Sequence, residues 1–167
     1  MMKHSGRLLA MVMLLAPGFV LASDVWLTMN SYGPVKIGMT VDEAYTSLRS
    51  LGQVQEPDVS EGCDYYYPMA GLSFMLDNNR IVRIETSSNE AVTPSGIRVG
   101  DSLSKLNKTF GNRLDDQPHH YEGPEARTIK LFSKDRSIAM RFEVFKGHIV
   151  EIYSGYEHSI HYVEGCA

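Results

Sequence analysis

Four side chains able to bind metal or move protons crowd the last part of the chain: Glu157, His158, His161 and Glu164. Imidazole and carboxylate groups are zinc ligands in tetrahedral sites. A histidine spacing of three suits one face of a helix, but this segment reads as extended, which sends the two rings apart. No metal and no cofactor is therefore assigned. His119-His120 lies in a polar loop, where adjacent imidazoles are usually solvated. Asp115-Asp116 is also in a loop, and the remaining carboxylates are scattered, so the paired acids of a hydrolase are not evident. No Gly-x-Ser-x-Gly segment offers a positioned nucleophile. No residue is assigned as catalytic, and the expectation is a non-enzyme.

Tyrosine and cysteine are more informative. Tyr65-Tyr66-Tyr67 is followed at a distance by Tyr121, Tyr153, Tyr156 and Tyr162. Tyrosine anchors interfaces because it buries a large ring while keeping a polar tip. Tyr66, Tyr156 and Tyr121 are the candidate binding residues, with Tyr66 and Tyr156 expected to face outward. Tyr65 and Tyr67 share the opposite side of their strand with Cys63, and that pair is expected to pack beneath the helices beside the disulfide. The only two cysteines are Cys63 and Cys166. In an exported protein an even count points to a disulfide, and a catalytic thiol has no Cys/His signature in its favour.

Export is itself an expectation. Lys3, His4 and Arg7 precede an apolar run over residues 8–21, and Val20-Leu21-Ala22 suits signal peptidase, so residues 1–22 read as a signal peptide. About 14 apolar residues are too few to span a bilayer comfortably. Setting aside Lys3 and Arg7 takes the 16 basic residues to 14 against 20 acidic, a net charge near −6. That balance, without a basic stripe, argues against nucleic acid as partner. It weakly favours a cationic one.

The elements that must position these residues come in two sets. Val35-Lys36-Ile37-Gly38-Met39-Thr40 returns as Ile97-Arg98-Val99-Gly100-Asp101-Ser102, each copy running into helix-like spacing. Thr40 and Ser102 read as N-caps, Asp42 and Glu43 suit a first helical turn, and Gly52 and Gly111 read as stops. The spacing predicts helices over 41–51 and 103–110. Strands are predicted over 25–32, 63–67, 72–76, 81–86, 128–133, 137–145 and 148–153, with a last one at 161–163 delivering Cys166. Asp77-Asn78-Asn79 and Lys146-Gly147 are hairpin turns. Residues 53–62 and 112–126 read as polar loops and 87–96 as a linker. The expected fold is α+β: a first repeat over 23–94 and a second over 95–167, sharing one body, with helices packed on one face of an antiparallel sheet and the other face partly open. A chance likeness of two strand–Gly–helix junctions is the rival explanation, weakened by Ile81-Val82-Arg83-Ile84 matching Ile149-Val150-Glu151-Ile152.

The stretch Val35-Lys36-Ile37-Gly38-Met39-Thr40, with Asp42-Glu43-Ala44, Leu48 and Gly52, resembles the opening of SmpA/OmlA and beta-lactamase-inhibitor-protein-like domains. The second copy, from Ile97 to Gly111, looks like a degenerate version. The resemblance covers about 17 residues per copy. It implies a helical layer on an antiparallel sheet in an exported protein that acts by binding other proteins, as an inhibitor or as an accessory part of outer-membrane machinery. The chain departs from the lipoprotein members in having no lipobox cysteine. It departs from the tandem inhibitors in having one cysteine pair that joins the copies. The matched positions build the fold, so no binding residue is carried over.

The expectation is thus a periplasmic or secreted module that binds an envelope protein, with no membrane span once the leader is removed. An accessory role in envelope assembly is the second reading. A small-ligand protein or hydrolase near the histidine loops is the third. Binding predicts an exposed tyrosine-bearing patch. Enzymatic chemistry predicts a cleft where carboxylates converge with His119 or His158.

Overall fold

The computed structural model describes residues 25–166; the expected signal peptide lies outside them. Two sheets and three short helices build the fold. The smaller sheet contains β1 (Val25–Thr28), β2 (Ser31–Tyr32), β3 (Val35–Lys36) and β7 (Ala91–Val92), in the order β3-β2-β1-β7. The larger contains β4 (Cys63–Met69), β5 (Leu72–Asp77), β6 (Arg80–Thr86), β8 (Leu114–Pro118), β9 (Ala126–Phe132), β10 (Ile138–Phe145) and β11 (His148–Tyr156). Its order is β4-β5-β6-β11-β10-β9-β8, antiparallel throughout, so the last strands that the two halves contribute to this sheet, β6 and β11, meet at the centre. The helices are α1 (Val41–Arg49), α2 (Leu103–Phe110) and α3 (Glu157–Ile160).

Local chemistry accounts for the helix starts. Thr40 Oγ1 accepts from Glu43 N (3.3 Å) and Glu43 Oε2 accepts from Thr40 N (2.8 Å), a reciprocal capping box. Ser102 Oγ accepts from Lys105 N (3.1 Å). The backbone pairing around these caps is duplicated. Gly38 N donates to Ile81 O and Ile81 N to Met39 O, while Gly100 N donates to Ile149 O and Ile149 N to Asp101 O. Gly38 and Gly100 hold φ of 86° and 92°, the left-handed region that glycine enters without strain. The turns Asn78-Asn79 and Lys146-Gly147 both carry two successive positive φ values, the primed hairpin geometry. Both halves also carry a β-bulge at one equivalent place, with Val82 and Val150 as the extra residues.

Register assigns the faces of the larger sheet. Tyr66, Phe74, Ile84, Ser154, Met140 and Leu131 form one inner row, and Leu72, Thr86, Ile152, Phe142 and Ile129 the next. These apolar residues share one core with Val41, Ala44 and Leu48 of α1 and with Leu106 and Phe110 of α2. The opposite, outer face is polar.

Four expectations need correction. The 87–96 linker contains β7, whose two buried residues pair in parallel with β1. The 112–126 loop contains β8, a polar edge strand pairing with β9. Its Asp-Asp-Gln composition hides it because an edge strand needs no apolar side on its outer face. Residues 157–160 form helix α3 in place of a strand at 161–163. Tyr66 is buried at 2% exposure against Phe74, with its hydroxyl donating to Gln55 O (2.7 Å). The alternation along β4 was legible, but its sign was inverted: Cys63, Tyr65 and Tyr67 point to the outer face. The disulfide explains the inversion, since the chain end that Cys63 must reach lies on that face.

Candidate functional site: the outer face of the large sheet

The outer face is built on a row that crosses six strands: Ser73, Glu85, Tyr153, Arg141, Lys130 and Asp115. Arg83-Ile84-Glu85 on β6 and Arg141-Phe142-Glu143 on β10 repeat one arrangement. Residues two apart share a strand face, so each arginine bonds its own glutamate: Arg83 Nη2 lies 2.6 Å from Glu85 Oε1, and Arg141 Nε pairs with Glu143 Oε1. Both guanidiniums lie 5.1 Å from the Tyr153 ring centroid, a cation–π arrangement. Burial, reinforced by Glu151, raises the Tyr153 hydroxyl pKa well above its ordinary value.

The same arginines hold the C-terminal segment over one end of this face. Arg83 Nη1 donates to Ser159 O (2.6 Å) and Tyr162 O (2.9 Å), and Arg141 Nη1 to Ile160 O (3.1 Å). Arg83 Nη2 donates to the Tyr65 hydroxyl (2.8 Å), whose pKa burial pushes up to about 12. Gly155 permits close passage of β11 by β6, because a Cβ there would lie 2.3 Å from Val82 O. The Cys63–Cys166 disulfide, with Cα atoms 5.3 Å apart, fastens the end of the segment to β4.

The rest of the outer face is uncovered and forms two cavities of about 440 Å3 each. One is lined by Tyr67, Ser73, Glu85 and Glu151 among others. The second is lined by His119, Tyr121, Arg141, Glu143, Phe145, Val150, Glu151, Tyr153 and Val163 among others. Glu151 belongs to both. Eight large apolar side chains are exposed among the described residues, and five of them, Tyr67, Tyr121, Phe145, Val150 and Val163, border these two cavities. The bulge at Val150 sets this up, since it places Val150 and Glu151 together on the outer face. A larger cavity, about 610 Å3, lies between the 57–62 loop and Asn78-Asn79, but none of these exposed apolar groups lines it.

Electrostatics distinguish Glu85, Glu143 and Glu151, the three buried or part-buried glutamates of the groove. Glu85 is paired with Arg83, and Glu143 with Arg141 and the Thr128 hydroxyl (2.9 Å). Glu151 accepts from Tyr153 Oη (2.7 Å) and makes no ion pair among the described residues. Burial raises its carboxyl above the usual carboxylate range, and Glu85 and Glu143 add to the shift. His119 Nδ1 accepts from Tyr121 N (3.2 Å) and Glu122 N (3.1 Å). Its proton therefore sits on Nε2, which faces Glu143 Oε2 at 3.7 Å.

The sequence candidates are dispersed by the fold. Tyr121 is 62% exposed at the groove and donates to Glu164. Tyr156 lies away from both cavities, stacked on His158 with its hydroxyl close to Gly38. His161, on the turn after α3, bonds Glu157 through Nε2 (2.9 Å) and Lys130 through Nδ1 (3.1 Å). No group of three or more histidine, cysteine or acidic residues is placed to hold a metal among the described residues. Sequence reasoning missed Glu151, Glu143, Phe145, Val150 and Val163. Of these only Glu143 carried a signal, in the repeated Arg-x-Glu triplet of charged residues alternating with an apolar one. No helix among the described residues is long and apolar enough to cross a membrane. Compared with known proteins, the chain matches no family model, no curated sequence and no solved structure.

Proposed function

We propose that this chain is an exported protein-binding module of the bacterial envelope whose partner docks on the uncovered half of the outer sheet face. The observation that carries the reading is the concentration of exposed Tyr67, Tyr121, Phe145, Val150 and Val163 around two adjoining cavities that share Glu151. Aromatic and other large apolar side chains are the residues protein interfaces draw on, combined with polar groups and bridging waters. Exposed apolar groups gathered in one place mark interaction sites more reliably than scattered ones. The disulfide, the leader-like residues 1–22 and the resemblance to SmpA/OmlA and inhibitor-protein-like domains support an exported binding role. An inhibitor and an assembly accessory would both use such a surface.

The test is capture from envelope extract by the oxidised protein and by a Tyr121→Ser, Phe145→Ser variant. The expected result is a defined partner retained by the wild type and lost by the variant. Equal retention by both would contradict docking at this groove.

Convergence of His119, Glu143 and Glu151 on one cavity favours a second reading, a small ligand or acid–base chemistry at the same place. Against His119 as a free base stands Nδ1, which already accepts from two backbone amides. Under this second reading the rim variant would keep its ligand and Glu151→Gln would lose it.

A further inference from the structure

Two groove carboxylates, Glu122 and Glu151, have no ion pair among the described residues, and Glu151 is the part-buried one. The arginines of this face are committed to Glu85 and Glu143 and to the carbonyls of the C-terminal segment. One of the acceptor sites of Glu151 is filled by Tyr153 Oη, and a carboxylate offers about four. Among the ionisable residues lining the Val150 side, Glu122, Glu143 and Glu151 face a single full cation, Arg141. His119 turns Nδ1 to the backbone amides of Tyr121 and Glu122. The groove thus carries surplus negative charge at its floor while Phe145, Val150 and Val163 present apolar surface at its edge.

Resting on the docking reading above, we propose that the groove binds a polypeptide segment that sets a lysine or arginine side chain against Glu151 and apolar neighbours against Phe145 and Val150. A cationic head reaching this floor gains a charge-assisted hydrogen bond in a partly dehydrated site. Its aliphatic stem lies along the apolar edge, as such side chains do. An acidic segment is repelled by the same carboxylates. A small free amine satisfies Glu151 but leaves the rim uncovered, which is why the observations favour a peptide chain.

The test uses the oxidised full chain and labelled decapeptides with Lys, Arg, Gln or Glu at the centre, flanked by Leu, Phe and Tyr, read by fluorescence anisotropy. Lys- and Arg-centred peptides are expected to bind at least tenfold more tightly than the Gln and Glu series. Glu151→Gln should erase that preference. Glu61→Gln, the same charge change on the exposed loop that lines the separate 57–62 cavity, should leave it intact. A preference that survives Glu151→Gln would overturn the proposal. Peptides that bind without charge preference, yet lose affinity in Val150→Asn, would overturn it while leaving groove docking in place. Failure of every peptide to bind, or Glu151-dependent binding of spermidine alone, would overturn the polypeptide occupant and the docking reading together.

Discussion

Ser154 sits in an inner row between Ile84 and Met140, and its buried hydroxyl has no hydrogen-bond partner among the described residues. An unpaired buried hydroxyl is a cost that alanine removes, so Ser154→Ala should raise unfolding stability by about 1 kcal/mol. Urea denaturation would show this as a higher midpoint with an unchanged slope. Glu151 gives a pH-dependent counterpart. Its folded pKa lies above the ordinary value of 4.5 because burial disfavours the charged form. Folding is therefore penalised when the group is ionised, fully so above its folded pKa, and the penalty disappears as pH falls below the unfolded value. Glu151→Gln should raise Tm at pH 7, with the gain vanishing below pH 4.5. Glu43 behaves oppositely: backbone and side-chain hydrogen bonds to Thr40 hold its carboxyl below the usual range, so its contribution is present above 4.5 and lost in acid.

At the scale of elements, what was legible follows from local chemistry. Thr40 and Ser102 marked helix starts because a hydroxyl that satisfies free helix amides is a short-range device. Thr40→Ala should cost about 1 kcal/mol, measured by thermal or urea unfolding. Asn78-Asn79 and Lys146-Gly147 were legible because their turns demand residues that tolerate positive φ. The sign of the β4 alternation was not legible, because Tyr66 and the Tyr65–Tyr67 pair are chemically alike. Only the partner of Cys63, 103 residues away, decides which side is covered. The groove was illegible for the same reason, since Glu151 acquires its meaning from Arg83 and Arg141 on neighbouring strands being already paired. Those arginines also hold the C-terminal segment. Arg83→Ala should strand Glu85 without its cation, at a cost of about 3–5 kcal/mol. Hydrogen exchange should then rise at residues 157–166 before the inner strands.

The whole molecule is two half-sheets joined along β6 and β11, with the disulfide linking the first half to the chain end. Closing a loop of 103 residues restricts the unfolded chain by roughly 4–5 kcal/mol in the loop-entropy argument, an upper figure in practice. Cys63→Ser with Cys166→Ser should lower stability by several kcal/mol while the inner face keeps its packing, as judged by near-ultraviolet dichroism. The surplus of acidic over basic residues suits a partner with cationic segments, which long-range attraction would help to guide in. The proposed docking on the outer face of the large sheet is the central claim. A photo-crosslinking side chain placed at Val150, and in a separate variant at Trp26 on the smaller sheet, tests this in cells. The account predicts a defined adduct from position 150 and none from position 26. An adduct from position 26 alone would contradict it.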